Sequence, residues 1–261
     1  MIENVERFTI QRVSEKSKQD VEDMVTRELP LTILLNNREL ITILCSPSEL
    51  ECLVIGFLSS EGLINSKEEI KGIMIDAIRG VARVETKDDK EFTDEQIFRR
   101  VITSGCGAGG VFYRVSDTHN LIQVESKVTI SGSEVFALVK SFQQHSETYR
   151  ITGGVHSAAL CDNKDILVFA EDIGRHNAID KVFGKCFLED ISTDDRIVIT
   201  SGRIPSEILL KVAKRKIPII VSKSAPTDLG VKLAMDLGIT LIGFVRGKRM
   251  NVYTNGQRVV A

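Results

Sequence analysis

The chain has 261 residues, 43% of them hydrophobic and 27% charged. That balance fits one large or two small globular domains with a real core, and excludes a disordered or fibrous protein. The net charge of −2 hides a division, because residues 1–195 carry 22 Lys and Arg against 33 Asp and Glu whereas residues 196–261 carry 12 against 3.

Residues 1–25 are polar and read as a mobile arm or an edge strand. Leu31–Leu44 holds two β-rich runs about Asn36-Asn37, the chemistry of a hairpin turn. Ser46-Pro-Ser-Glu opens a helix reaching about Ser60, with Leu50, Leu53, Val54 and Phe57 on one face, and Gly62 stops it. Residues 70–100 suggest short strands around Asp88-Asp89-Lys90. The glycine-dense Ser104-Gly-Cys-Gly-Ala-Gly-Gly110 follows, and then a helix over 133–145 with Val135, Leu138, Val139 and Phe142 aligned.

The second half is more regular. A hairpin turns at Asp162-Asn163-Lys164, and a helix from about His176 carries the stripe Ile179, Val182, Phe183, Cys186 and Phe187. Strands 197–200, 217–221 and 240–245 alternate with helices 205–214 and 227–237, and a last strand lies near Asn251–Thr254. This alternation predicts an α/β fold with helices packed on a mixed, largely parallel sheet, preceded by a smaller β-rich N-terminal subdomain. The expected organisation is an arm over 1–25, an α+β subdomain over 26–125 and an α/β core over 126–261.

No apolar run approaches the roughly 18 residues of a membrane span. The start, Met1-Ile-Glu-Asn-Val-Glu-Arg7, lacks a basic-then-apolar export signal. Five scattered cysteines, with none spaced as a zinc ligand pair, suggest neither a disulfide framework nor a structural metal. The reading is a cytoplasmic protein with no membrane partner. The basic last quarter points to an anionic ligand. Aromatic residues are only 5% and Trp is absent, so base-stacking platforms are scarce and a nucleotide-like small molecule is favoured over nucleic acid.

In open α/β sheets ligands gather beyond the carboxyl ends of strands. Those ends here read Glu171-Asp-Ile-Gly-Arg-His-Asn177, Ser201-Gly-Arg203, Ser222-Lys-Ser-Ala-Pro-Thr227 and Phe244-Val-Arg-Gly-Lys-Arg249. Small residues admit a ligand to the backbone, and Arg175, Arg203, Lys223, Arg246, Lys248 and Arg249 would supply fixed positive charge. His156 and His176 read as proton carriers, phosphate donors or structural histidines. Asp172, Asn177 and Asp180 read as ligand-orienting groups or helix caps. Cys106 is the cysteine whose setting suggests chemistry: successive glycine N–H groups can stabilise its thiolate, and glycines leave room for a bulky partner. Cys45, Cys52, Cys161 and Cys186 sit within apolar patterns.

These stretches, together with Arg27-Glu-Leu-Pro-Leu-Thr-Ile, Thr103-Ser-Gly-Cys-Gly and Thr152-Gly-Gly-Val-His-Ser-Ala-Ala, resemble in order the formate dehydrogenase accessory (FdhD-like) sulfurtransferases. The resemblance implies a cytidine-deaminase-like core and a persulfide carried by Cys106. It implies that sulfur is received from a cysteine desulfurase and passed to a bis(molybdopterin guanine dinucleotide) molybdenum cofactor that serves a formate dehydrogenase catalytic subunit. On this chain the cofactor-binding stretch falls on Phe244, Val245, Arg246, Gly247, Lys248 and Arg249, with Arg175, His176, Ser201, Gly202, Arg203 and Lys223 at the same rim. Where the family commonly has Cys-x-x-Cys, this chain reads Cys106-Gly-Ala-Gly109, so a local disulfide cannot expel the sulfur and an acceptor or reductant must do so. The alternative is a binder that delivers the cofactor without sulfur transfer. A zinc deaminase is excluded because His156 is followed by Ser157 and Ala158 rather than the required glutamate. A homodimer would cover exposed strand edges.

Overall fold

A computed structural model describes residues 4–87 and 123–260. Of the two readings of the first 25 residues, arm or edge strand, the structure has strands: β1 (Val5–Val13) and β2 (Lys18–Thr26) form a two-stranded antiparallel hairpin. Next come β3 (Leu29–Leu35) and β4 (Arg38–Cys45), joined by Asn36 and Asn37 at φ 49° and 62°. Two successive positive φ angles match the twist of a tight hairpin, and asparagine tolerates them. Helix α1 (Leu50–Glu61) buries the expected Leu50, Leu53, Val54 and Phe57 and ends at Gly62. Strands β5 (Ile70–Asp76) and β6 (Val81–Thr86) complete a four-stranded sheet in the order β4-β3-β6-β5. Asp88-Asp89-Lys90 lies outside the described residues.

The second half begins with the short β7 (Ile130–Ser131) and α2 (Gly132–His145). Ser131 and Glu134 form a reciprocal capping box there, satisfying two orphan N–H groups. After α3 (Glu147–Thr152) come β8 (His156–Cys161), β9 (Ile166–Asp172), α4 (Arg175–Leu188) and β10 (Ile197–Thr200). The chain continues through α5 (Ser206–Lys214), β11 (Ile219–Ser222), α6 (Asp228–Asp236), β12 (Thr240–Arg246), β13 (Arg249–Thr254) and β14 (Val259–Val260). Six of these strands form one sheet ordered β13-β12-β11-β10-β8-β9.

That sheet is mixed but not largely parallel. Only β10–β11 and β11–β12 pair parallel, while β8–β9, β8–β10 and β12–β13 are antiparallel. The parallel strands are those joined by helical crossovers; β8–β9 and β12–β13 are tight hairpins, which pair only antiparallel. Leu160, Val198, Ile220 and Leu241 face the layer formed by α4, α5 and α6, whereas Ala159, Ile199, Val221 and Ile242 face α2. Among the described residues no helix is long and apolar enough to cross a membrane.

Helix α4 ties the halves together. Its Ile179, Val182, Phe183 and Cys186 pack under the six-stranded sheet, while Phe187 and Leu188 pack into the core of the four-stranded sheet. It crosses α1 at Gly56 and Gly184, where a Cβ would fall 1.7 Å from the Asp180 carbonyl oxygen and 1.8 Å from the Cys52 carbonyl oxygen. Only glycine permits that backbone contact.

Candidate functional site

Because β8 runs antiparallel to β10, its amino end meets the carboxyl ends of β9, β10, β11 and β12 at one edge of the sheet. The connecting loops are stitched to one another. Ser222 Oγ donates to the Gly202 carbonyl (2.7 Å) and accepts from the Ser224 N–H (2.9 Å), and the Phe244 N–H donates to the Ser224 carbonyl (3.1 Å). Gly202 has no side chain for a reason of packing: a Cβ there would lie 2.8 Å from Cβ of Arg175.

Between this rim and α2–α3 lies a cavity of about 1200 Å³. Its apolar wall comes from Phe136, Val139 and Phe142 of α2 with Ile173 and Val245. Lys140, Arg150, Lys223, Arg246 and Lys248 supply five cations, and no carboxylate is among the described lining residues. A concave site of one charge sign with apolar walls attracts anions, because its low-dielectric sides focus the field of the cations into the opening. Its volume exceeds the usual range for drug-sized ligands, roughly 300–1000 Å³.

Two features aim the β12–β13 end into this space. The ladder loses register between Gly243↔Asn251 and Arg246↔Arg249, so the β12 side carries an extra residue. Phe244 takes a left-handed φ of 53°, a strained conformation for a bulky side chain. The bulge redirects Phe244–Arg246, and the Arg246 guanidinium sits 5.7 Å from the Phe244 ring centroid.

His156 and Ser201 lie side by side in the cavity wall. His156 Nδ1 is 3.2 Å from Ser201 Oγ, which also accepts the Ser157 N–H at 3.0 Å. Burial lowers the His156 pKa, and the Arg175, His176 and Arg203 charges lower it further against the opposing pull of Asp172. The imidazole is therefore held neutral near pH 7, able to accept or donate one hydrogen bond.

The Glu171–Asn177 loop is fixed from below. Buried Asp172 accepts from the Gly174 N–H and Asn177 Nδ2 on one oxygen, each at 2.8 Å. Its other oxygen accepts from the Ser46 N–H (3.0 Å) and Lys181 Nζ (2.8 Å). Asn177 Nδ2 also donates to the Leu44 carbonyl (2.8 Å), and Asp180 takes Ser60 Oγ (2.9 Å) and Lys211 Nζ (2.5 Å). These three residues hold the two halves together.

A family model described as the FdhD/NarQ family matches residues 26–260. The chain belongs to the FdhD/NarQ family. It is 47% identical over 244 residues to the sulfur carrier protein FdhD of Bacillus subtilis (strain 168), covering 92% of this chain and 91% of that protein. To the sulfur carrier protein FdhD of Bacillus pumilus (strain SAFR-032) it is 45% identical over 237 residues, covering 91% and 90%. A crystal structure from Desulfotalea psychrophila, described as a candidate formate dehydrogenase accessory protein, superposes with a TM-score of 0.80. It shares 27% identity and covers 98% of this chain and 99% of that one.

Of the residues singled out in this FdhD/NarQ chain, Ser201, Lys223, Val245, Arg246, Gly247 and Lys248 line the cavity. Arg175 and Arg203 stand beside it, close enough to act on His156. Gly202 sits beneath Arg175, and half-buried Phe244 lies under Arg246. Arg249 is exposed opposite Arg246 on β13. His176 points inward instead, its Nε2 3.1 Å from the Glu207 carboxylate, and burial lowers its pKa against the pull of Glu207. Cys106 lies outside the described residues. The other four thiols are poor nucleophiles: burial pushes Cys45 and Cys161 up to about 12, and Cys52 and Cys186 up to about 11.

The sequence reading missed the α2–α3 wall: Phe136, Lys140, Gln143, Tyr149 and Arg150. The helical period of α2 pointed to its Val135–Leu138–Val139–Phe142 core stripe, and the adjoining polar face carries no motif that separates a cavity wall from solvent.

Proposed function

We propose that this protein accepts sulfur on Cys106 as a persulfide and passes it to a bis(molybdopterin guanine dinucleotide) molybdenum cofactor held as substrate in the cationic cavity, so activating a formate dehydrogenase. The observation carrying this reading is the cavity itself, with five cations and no carboxylate among its described lining residues. A cofactor bearing pyrophosphates and extended ring systems matches a site that offers both positive charge and an apolar wall. The names of the Bacillus relatives, sulfur carrier proteins, support the sulfur step.

In that step the Cys106 thiolate attacks the terminal sulfur of a cysteine desulfurase persulfide. Its S–S bond breaks, the desulfurase thiolate leaves, and a new S–S bond forms on Cys106, with no net oxidation. Gly109 means that release falls to the acceptor or to a reductant. The protein works in a reducing cytoplasm on this reading, consistent with free Cys45, Cys52, Cys161 and Cys186. The α/β half is taken as a cytidine-deaminase-like core, a view supported by helices on both faces of its mixed sheet.

Gly109 in place of a second cysteine favours a second reading, a cofactor binder without sulfur chemistry. Mass spectrometry after incubation with a desulfurase and cysteine separates the two. The expected result is one reductant-labile sulfur on the wild-type chain and none on Cys106→Ala, with formate dehydrogenase activity lost in a host carrying only the variant. Equal labelling of the variant, or full rescue by it, overturns the carrier role. For the cavity, Arg246→Ala and Lys248→Ala should each weaken guanosine diphosphate binding about tenfold, the loss of one charge-assisted hydrogen bond. Unchanged affinity in both removes the cavity from the proposal.

A further inference from the structure

His156 is the first residue of β8 and lines the cavity. Its Nδ1 faces Ser201 Oγ at 3.2 Å, and among the described residues Nε2 has no hydrogen-bond partner. Ser201 Oγ is itself held in place by the Ser157 N–H at 3.0 Å. A hydroxyl both donates and accepts. It can donate to the bare Nδ1 of a neutral ring or accept from Nδ1–H of an imidazolium, so in either state Nε2–H is the donor left for the cavity. A carbonyl in its place would only accept, fixing a neutral ring with a bare Nε2 that repels anions. His176 differs, because its Nε2 is directed at Glu207, outside the cavity lining.

We propose that His156 is an ionisable contact of the anion site, donating Nε2–H to phosphate oxygens of the ligand and taking up a proton on Nδ1 as the ligand binds. This rests on reading the cavity as the anion site. The proton comes from solvent, no covalent bond to the ligand forms, and release of the ligand returns the proton.

The charges around the ring supply the coupling. Asp172 of β9 favours the imidazolium, while Arg175 and His176 of α4 and Arg203 after β10 oppose it. The neighbouring Glu171 and Glu207 carboxylates face other partners, the Thr148 and Tyr149 N–H groups and His176. Across the cavity stand Lys140, Arg150, Lys223, Arg246 and Lys248. In the ligand-free protein burial and these cations favour the neutral ring, and the pKa lies below its ordinary value of 6.5. A pyrophosphate placed among them offsets their charge and gives the imidazolium a charge-assisted hydrogen bond, which raises the pKa. Linkage makes the effect reciprocal: each unit by which the ligand raises the pKa is a tenfold gain in affinity once His156 is protonated. Affinity therefore rises as pH falls from the bound value to the free one.

The test uses the full chain and two guanosines joined 5′ to 5′ through pyrophosphate. Unlike a terminal phosphate, whose second ionisation lies near about pH 6, that diester has no ionisation of its own in this range. Wild-type affinity should rise about tenfold between about pH 8 and about pH 5.5. Calorimetry in buffers of unlike ionisation enthalpy should show net proton uptake near about pH 6. His156→Gln, which keeps a donor but cannot ionise, should bind with a flat pH profile and no proton uptake. The chain has four histidines, so ring NMR can follow each one, with His156 assigned through its contact with Ser201. Its titration midpoint should move up when the ligand is added. A midpoint that stays in place, wild-type affinity unchanged across the range, or a His156→Gln variant that keeps the pH dependence would each overturn the inference while leaving the cavity as the anion site. Absence of binding at every pH overturns both.

Discussion

Replacing Lys181 with Met removes the cation from a fully buried carboxylate while keeping most of the side-chain volume. Lys181 Nζ sits 2.8 Å from Asp172 and also donates to the Glu171 (3.2 Å) and Ser46 (3.4 Å) carbonyls. Breaking one side of a buried pair costs about 3–5 kcal/mol, because the partner's charge is left uncompensated. Asp172 keeps the Ser46 N–H, the Gly174 N–H and Asn177 Nδ2, which places the loss near the lower figure. A loss of about 3 kcal/mol lowers Tm by roughly 6–12 °C for a chain of this size. The double variant Asp172→Asn/Lys181→Met removes both charges and should recover part of that loss, as expected when the penalty lies in the orphaned charge. Urea and thermal unfolding followed by circular dichroism measure all three proteins. A Lys181→Met variant within about 1 kcal/mol of wild type would refute the view that this pair fastens the Glu171–Asn177 loop to the N-terminal half.

Gly184→Ala should cost about 3 kcal/mol in the same unfolding assay, since its methyl would meet the Cys52 carbonyl and prise α1 from α4. Gly72→Ala, with nothing within 4 Å, should change stability by less than about 0.5 kcal/mol and serves as the control. Folded His156 and His176 both bind protons less readily than in the unfolded chain, whose ordinary histidine value is 6.5. The unfolded state therefore takes up more protons as pH falls, so stability declines from about pH 7 toward pH 5. His156→Gln should make that decline shallower in denaturation curves collected across this range, and an unchanged slope would show that His156 titrates freely in the folded protein.

What the sequence disclosed depended on how far apart the deciding partners lie. The β3–β4 turn, the faces of α1 and α2 and the β10–β12 crossovers follow from residues within a few positions of one another, and they were legible. Asp172, Asn177 and Asp180 share the short segment that also supplies Arg175, so composition offered ligand contact or helix capping as their roles. Their actual partners, Ser46, Leu44 and Ser60, are 126, 133 and 120 positions away, and nothing local announces them. The cavity shows the same limit in its charges. Lys223, Arg246 and Lys248 belong to the basic last quarter and were visible as an excess of cations, but Lys140 and Arg150 come from the acidic remainder of the chain. Folding brings those two across from α2 and α3 while their acidic neighbours face elsewhere: Glu134 is committed to the Ser131 cap, and Glu171 accepts the Thr148 and Tyr149 N–H groups. The cationic lining arises as much from holding carboxylates away from the cavity in backbone hydrogen bonds as from accumulating lysine and arginine, and only three dimensions reveal that placement.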